Sequence, residues 1–545
     1  MSTAGARGDM SKVPGRGPQS SLAAPAPRQE WRPSVNPWIV AASVMLATFM
    51  EVLDTSVANV ALPHISGNLS ATTDESTWVL TSYLVSNAIV LPATNWLSRY
   101  FGRKRFLIVC IVIFTLASAL CGAATSLGML IFARVLQGAG GGALQPIAQS
   151  VLLESFPPEK RGQAMAVFGL GIVVAPIIGP TLGGWITDNY SWRWIFYINV
   201  PVGALAIFMA NAFVEDPPYI REQRPGRIDY VGFGLMALGL AALQLVLDLG
   251  QQEDWFESAF VLRAVVVAVV ALAAFVIWEL RSDEPIVNLR VLKNRNFAVG
   301  VLLISVMGVV LYGSIALLPL FLQTLMGYPA TASGMAVSPR GFGSILSMIV
   351  VGRLVGRVDG RWLIMFGFAV LAYSTWMLAG LNLDISMSNV VWPNIISGCA
   401  MGFIFVPLTT MAMGTLPNEQ LGNASGVYNL MRNTGGSIGI AAMTTMLSRG
   451  AQAHQSAISS HLTPYDPAFQ ERLHQIMGAL GMRGAGAGAS QQALASVYGA
   501  VLRQSMLMSF IDNFRLLAFL SLLCVPAALL FKKVRARGGP SVAAH

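Results

Sequence analysis

Apolar residues fill long blocks of the chain from Trp38 to Phe531, and short polar stretches separate them. A helix of roughly 20 apolar residues crosses a hydrocarbon layer of about 30 Å. On that measure the pattern predicts spans near 37–62, 76–97, 106–124, 128–153, 163–186, 194–214, 228–249, 260–280, 297–325, 331–353, 362–381, 390–413, 423–447 and 508–531. The fold class expected is an all-α polytopic membrane protein with fourteen transmembrane helices. Between the last two spans, 448–507 reads as one long polar loop outside the membrane. It has Ala-rich helical stretches around 466–480 and 490–503, with a flexible Gly/Ala segment between them.

Charge orients these spans. With the N-terminus inside, the inner loops 98–105, 154–162, 215–227, 281–296 and 354–361 hold Arg99, Arg103, Lys104, Arg105, Lys160, Arg161, Arg221, Arg224, Arg227, Arg281, Arg290, Lys293, Arg295, Arg357 and Arg361. The outer connections 63–75, 125–127, 250–259, 326–330 and 382–389 hold no Lys or Arg, and Arg193 is the nearest exception. Lys532, Lys533, Arg535 and Arg537 put the C-terminal tail inside as well, which requires an even number of spans.

Composition agrees with lipid as the main solvent. Of the 545 residues 54% are hydrophobic and 11% charged, against about 25% charged in an ordinary soluble domain. The net charge of +9 is scattered through short loops, which reads as an orientation signal and not as a nucleic-acid surface. Cys110, Cys121, Cys399 and Cys524 lie inside apolar runs and read as small buried hydrophobes, with no disulfide or metal framework. Residues 1–36 are rich in Pro, Gly, Ser and Arg, and are expected to form a disordered cytoplasmic tail, not a cleaved signal peptide.

A charged side chain near the bilayer centre costs about 2.5–3.5 kcal/mol, so such residues are candidates for function. The first span holds Glu51 and Asp54, three residues apart and on one helix face. Two neighbouring carboxylates in a low-dielectric cavity resist double ionisation, so one of them can load and release a proton. Asp54 is the first candidate and Glu51 the second. In the fourth span Arg134, Gly138, Gly141 and Gln145 share a face beside Gln137 and Gly142. The glycines admit a neighbouring helix, and Arg134 is placed to balance a carboxylate of the first span.

The fifth span carries Gly171, Ala175, Pro176, Gly179, Pro180, Gly183 and Gly184. Paired prolines and glycines give a bent helix with a smooth packing surface, which suits a hinge or gate. In the second half Arg340 and Arg432 lie inside spans with Tyr312, Gln323, Tyr428 and Asn429, either lining a cavity or tying helices together. Asn59, Gln137, Gln145, Tyr312, Gln323, Tyr428, Asn429 and Arg432 are the candidate substrate contacts.

Five segments carry a resemblance that extends over about residues 37–531. Leu53-Asp54-Thr55-x-Val57-Ala58-Asn59-Val60-Ala61-Leu62-Pro63, Leu130-x3-Arg134-x2-Gln137-Gly138 and the Pro/Gly run 171–184 lie in the first half. Trp192-Arg193-Trp194-Ile195-Phe196-x-Ile198-Asn199-Val200-Pro201 follows, and Gly422-x-Ala424-Ser425-Gly426-x2-Asn429-x2-Arg432-x2-Gly435-Gly436-Ser437 lies near the end. Together they resemble the fourteen-helix drug:proton antiporter branch of the major facilitator superfamily. One family motif departs. After the second span Asn95 and Arg99 stand where the family has Gly and Asp, and Tyr100 replaces an Arg, although Leu97, Gly102, Arg103 and Lys104 remain. The counterpart around Gly352, Leu354 and Arg357 has Gly356 at its Asp position.

The resemblance implies two six-helix bundles, 37–214 and 281–531, with a linker and two inserted helices at 215–280 and a cytoplasmic tail at 532–545. It implies export of small hydrophobic or amphipathic compounds across a bacterial inner membrane, both termini cytoplasmic, driven by a proton gradient without a cofactor. It also implies a periplasmic adaptor and an outer-membrane channel as partners in a double-membraned cell, with 448–507 open to the adaptor. One rival of the same fold exports a single metabolite, siderophore or lipid precursor. A remote rival is a membrane-embedded acyltransferase, for which only His461-x4-Asp466 speaks, with Pro464 between its ends. His454 and His474 read as solvated loop residues, and no phosphate-cradling loop for direct ATP use is present.

Overall fold

Helix α1 (Pro37–Asn68) starts where Asn36 accepts the Trp38 N–H at 3.0 Å and Pro37 removes one donor that would lack a partner. Helix α2 (Thr73–Phe101) starts on a capping box, with Thr72 and Glu75 bonded reciprocally at 2.9 and 3.2 Å. In this computed structural model residues 33–217, 229–463, 465–482 and 489–532 are described, with Ser2 and Gly5. The expected disordered tail, the 483–488 part of the Gly/Ala segment and most of the C-terminal tail fall outside that set.

The first group of helices continues with α3 (Arg103–Gly122), α4 (Leu127–Gly141), α5 (Leu144–Ser155), α6 (Arg161–Asn189), α7 (Trp194–Tyr197) and α8 (Asn199–Phe213). Helix α1 packs on α5, α6 and α8, and α4 packs on α2 and α3. Helices α9 (Tyr230–Leu249) and α10 (Ala259–Arg281) pair with each other. The last group is α11 (Arg295–Thr324), α12 (Ala330–Val337), α13 (Pro339–Leu354), α14 (Gly360–Leu378), α15 (Ser388–Met413), α16 (Asn418–His461), α17 (Pro467–Met482) and α18 (Ala489–Ala527). Here α15 packs on α13 and α14, and α16 on α11 and α18. The two groups meet where α6 touches α13 and α15, and where α16 touches α2 and α5.

Among the described residues twelve helical spans are long and apolar enough to cross a membrane, and α2 and α16 are long but fall short in apolar character. Both carry polar stripes: Thr81, Ser86, Asn87 and Asn95 on α2, and Asn423, Asn429, Arg432 and Ser437 on α16. Three predicted spans are each divided, at Gly142 between α4 and α5, at Ser338 between α12 and α13, and at Ile198 between α7 and α8.

The stretch 448–507 differs from a loop. Helix α16 runs unbroken through 448–461, and α18 runs unbroken from Ala489 into the final span. Polarity of the side chains marks where lipid would end, but Ala-rich sequence keeps the backbone helical past that point.

Close approach between α13 and α15 depends on missing side chains. A Cβ on Gly398 would lie 1.9 Å from the Arg340 carbonyl oxygen, and one on Gly343 would lie 2.1 Å from that of Ile395. Gly398→Ala is therefore expected to cost about 1–3 kcal/mol by overpacking. A Cβ at Gly128 meets nothing within 4 Å, so Gly128→Ala is the neutral control. Thermal unfolding of both variants in detergent tests this, and equal melting temperatures would contradict it.

Candidate transport site

One turn of α1 places two carboxylates in the interior, Glu51 and Asp54, each 3% exposed. Their surroundings differ. Arg134 of α4 donates to Asp54 Oδ2 at 2.6 Å, while Gln137 and Asn199 donate amide N–H groups to Oδ1 at 2.9 and 2.7 Å. Arg134 also donates Nε–H to the Val79 carbonyl at 3.0 Å, and its guanidinium lies 4.3 Å from the centre of the Tyr83 ring. Asp54 is thus neutralised by a buried, fixed counter-charge, and removing either partner would leave the other as an isolated buried ion.

Glu51 has no cation among its hydrogen-bond partners. Gln145 of α5 donates to Oε2 at 2.7 Å, and Tyr83 and Asn87 of α2 donate to Oε1 at 3.2 and 3.3 Å. The same Gln145 amide accepts from Arg432 of α16 through its oxygen. Glu51, Gln145 and Arg432 therefore form a polar chain that passes from the first helix group to the last. A second crossing lies beside it, where Asn429 donates to Gln149 Oε1 at 2.6 Å. Arg432 meets Asn433 at 3.2 and 3.3 Å, and among the described residues its remaining nitrogen has no partner.

Glycines of α4 make the room. A Cβ on Gly141 would sit 2.7 Å from the Tyr83 hydroxyl oxygen, and one on Gly138 would sit 2.4 Å from the Tyr83 carbonyl oxygen. The Pro/Gly run of α6 does the same against α1: Gly179 faces Ser56, Gly183 faces Val57, and the Pro176 carbonyl accepts from the Ser56 hydroxyl at 3.1 Å. Helix α6 stays continuous across Pro176 and Pro180. A Cβ on Gly184 would lie 3.9 Å from Val60 Cγ1, the loosest approach of the run.

The loop after α2 retains a charge lock in another form. Arg103 pairs with Glu154 at 2.5 Å with both side chains buried. Asp216 accepts the Lys104 N–H at 2.7 Å beside Gly102, whose φ of +88° suits glycine. Asn95 sits where a Cβ on Gly422 would come within 2.2 Å of its side-chain oxygen, so the larger residue on α2 is matched by none on α16.

The profile described as Major Facilitator Superfamily matches residues 44–440. The chain belongs to the Major Facilitator Superfamily. Within the superfamily it groups with the EmrB-type exporters. It is 38% identical over 508 residues to the multidrug export protein EmrB of Escherichia coli K12, covering 93% of this chain and 98% of that one. It is 42% identical over 435 residues to EmrB of Haemophilus influenzae, covering 80% and 85%. The human organic anion transporter MFSD10 (TETRAN) shares the fold at TM-score 0.57 and 13% identity, over 90% of this chain and 100% of that one. This facilitator is a secondary transporter and not an enzyme. The acyltransferase-like pair has plain structural uses: Asp466 caps the start of α17 through the Ala468 N–H at 2.9 Å, and His461 bonds the Ala457 carbonyl.

The structure brings together Glu51, Asp54, Arg134, Gln137, Gln145, Asn429 and Arg432 of the sequence candidates. Tyr428 is buried nearby, bonded to Thr409 at 3.1 Å. Asn59 and Gln323 are exposed and Tyr312 half-buried, so these three stand outside the hydrogen-bonded centre of the facilitator. Among the described residues Arg340 reaches Ser314 at 3.3 Å, and its Nε and Nη1 have no partner. Sequence reasoning missed Tyr83, Asn87 and Gln149 and used Asn199 only as a family mark. The available signal was polar residues four apart in apolar spans, Tyr83 with Asn87 and Gln145 with Gln149. His454, read as solvated, bonds Asp512 of α18 at 2.8 Å.

Proposed function

We propose that this facilitator exports small hydrophobic or amphipathic compounds by proton-coupled alternating access, with Glu51 as the proton carrier. The observation that carries this reading is the chain Glu51–Gln145–Arg432 across the seam. With Glu51 ionised, the Gln145 amide lies between opposite charges, and both its bonds are charge-assisted. Such bonds contribute about 1.5–3 kcal/mol, against about 0.5–1.5 kcal/mol for neutral ones. Protonating Glu51 therefore loosens the seam by roughly 1–2 kcal/mol, enough to shift a two-state balance about tenfold. Protonating Asp54 instead would strand Arg134, so the Asp54–Arg134 pair is better suited to fixing α1 on α4.

The rocking units in this reading are 37–214 and 281–531, with α2 and α16 crossing as well, which gives fourteen spans. Pro176, Gly179, Pro180, Gly183 and Gly184 form the sliding surface of α6. Asn59, Tyr312 and Gln323 line the cargo path, since an exposed amide is costly against lipid. The name of the E. coli and H. influenzae relatives, multidrug export protein, supports a broad cargo over one dedicated metabolite. The charge pattern supports an inner-membrane setting with both termini cytoplasmic, and no cofactor is required. The extensions of α16 and α18, each about 20–30 Å beyond the expected lipid boundary, are where a periplasmic adaptor leading to an outer-membrane channel would dock.

One proton entering yields about 2.3 kcal/mol per 100 mV, which sustains roughly a fifty-fold gradient of a neutral cargo. In proteoliposomes with the extracytoplasmic side made acid, an apolar dye should be driven out in exchange for protons. Dye movement without proton flux would contradict the reading.

A further inference from the structure

A third membrane-embedded carboxylate lies outside the transport site. Asp248 stands in the last turn of α9, the first inserted helix, where the helix macrodipole already places negative charge. Helix α9 packs on α2, where Thr81 neighbours the Asp248 carboxylate, and Gln244 donates to its Oδ1 at 2.9 Å. Among the described residues the other oxygen, Oδ2, is buried without a partner. Thr81 lies on α2 between Val79 and Tyr83, which touch Arg134 and Glu51. Asp248 is therefore at the depth of the transport site, across α2 from it.

Gln244 extends the contact to the second helix group. Its amide bonds Ser437 of α16 at 3.1 and 3.3 Å, and Trp255, just beyond α9, donates to Thr445 of α16 at 3.0 Å. Asp248, Gln244 and Ser437 thus form a strap from the α2 face of α9 to α16, about one and a half turns outward of Arg432 along α16.

The charged and titratable groups on the packed elements are engaged elsewhere. On α2, Glu75 bonds Thr72, Tyr83 bonds Glu51, and Arg99 and Tyr100 are at the far end. On α16, Arg432 bonds Gln145, and Arg449 is exposed. On α10, Arg263 bonds its own helix at Ala259, and Glu279 lies at the opposite end. In the connection after α9, Glu253 accepts from Ser258. An ionised Asp248 would leave one carboxylate oxygen dry and unpaired, a cost far above that of a neutral acid.

We propose that Asp248 is a second proton-binding site, at the seam of the inserted helix with both bundles, and that a proton taken from the extracytoplasmic water holds this seam shut. The proton adds to the carboxylate to give a neutral acid, and returns to the same aqueous phase when the pH rises. Ionised Asp248 then draws water into the seam, and α9 parts from α2 and α16. This rests on the alternating-access reading but involves a different group from Glu51.

The test is hydrogen–deuterium exchange of the full chain in nanodiscs, read on peptides covering 240–255 and corrected for intrinsic rates. In the wild type, exchange there should rise several-fold from acid to alkaline pH. Asp248→Asn should hold the low acid value at both, Asp248→Glu should keep a pH response, and Glu51→Gln should respond as wild type. An unresponsive wild type, a responsive Asn variant or an unresponsive Glu variant would overturn the proposal. Loss of response in Glu51→Gln alone would also overturn it, because the switch would then belong to the transport site.

Discussion

Glu51→Gln should abolish export against a gradient and leave a folded protein that still lets cargo run downhill. Glutamine keeps the length of the side chain and an oxygen where Oε1 accepts from Tyr83 and Asn87, so the packing around a residue only 3% exposed is largely preserved, while its amide nitrogen replaces the oxygen that accepts from Gln145. What disappears is the change of charge. Without it the seam has the same strength whatever the proton gradient, and a ligand that does not discriminate between two states cannot shift them. The roughly fifty-fold gradient available per proton at 100 mV should fall to none. Paired liposome assays, one driven by a pH gradient and one by a cargo gradient alone, separate this from simple misfolding. Uphill accumulation at the wild-type level in the variant would contradict the assignment of Glu51.

The second large effect is on stability. Asp54→Asn leaves Arg134 buried without a counter-charge, and Arg134→Gln leaves Asp54 so; each is expected to cost about 3–5 kcal/mol. The double variant removes both charges, so it should be more stable than the sum of the two single losses. Three neutral or backbone groups remain to satisfy the pair's neighbours: Gln137, Asn199 and the Val79 carbonyl. Thermal unfolding in detergent gives the cycle. Strictly additive losses would mean that the 2.6 Å contact contributes little coupling.

Much of this arrangement was legible in the chain because membrane burial makes polar residues conspicuous. Glu51, Asp54 and Arg134 stand out against apolar neighbours, and the Gly138/Gly141 spacing announced the close approach of a helix. The sequence puts Asp54 ahead of Glu51, and the reading proposed here reverses that order. That ranking depends on which of them faces Arg134, a matter of helix rotation set by packing, and the two side chains, though on one face of α1, point about 60° apart. Pairing across the seam, Gln145 with Arg432 and Gln149 with Asn429, joins residues nearly 300 positions apart and has no local signature. The reduced apolar character of α2 and α16 is the nearest hint, since both polar stripes lie on the helices that meet there.

The boundaries of 448–507 were read as a loop for a related reason. Hydropathy reports the solvent around a side chain, while helix continuity reports backbone hydrogen bonds, and in α16 and α18 the two change at different positions. The inserted helix shows the opposite case. Asp248 lies at the outer edge of its apolar block and passes for a boundary residue. Its packing on α2 places it beside Thr81, in the outer third of that helix.

The most direct measurement is proton release from purified protein in weakly buffered detergent solution, followed with a pH-indicator dye as cargo is added. The account expects the wild type to release protons on cargo binding and Glu51→Gln to release none while still binding cargo. Undiminished release from Glu51→Gln, or no release from the wild type at any pH where it transports, would contradict it.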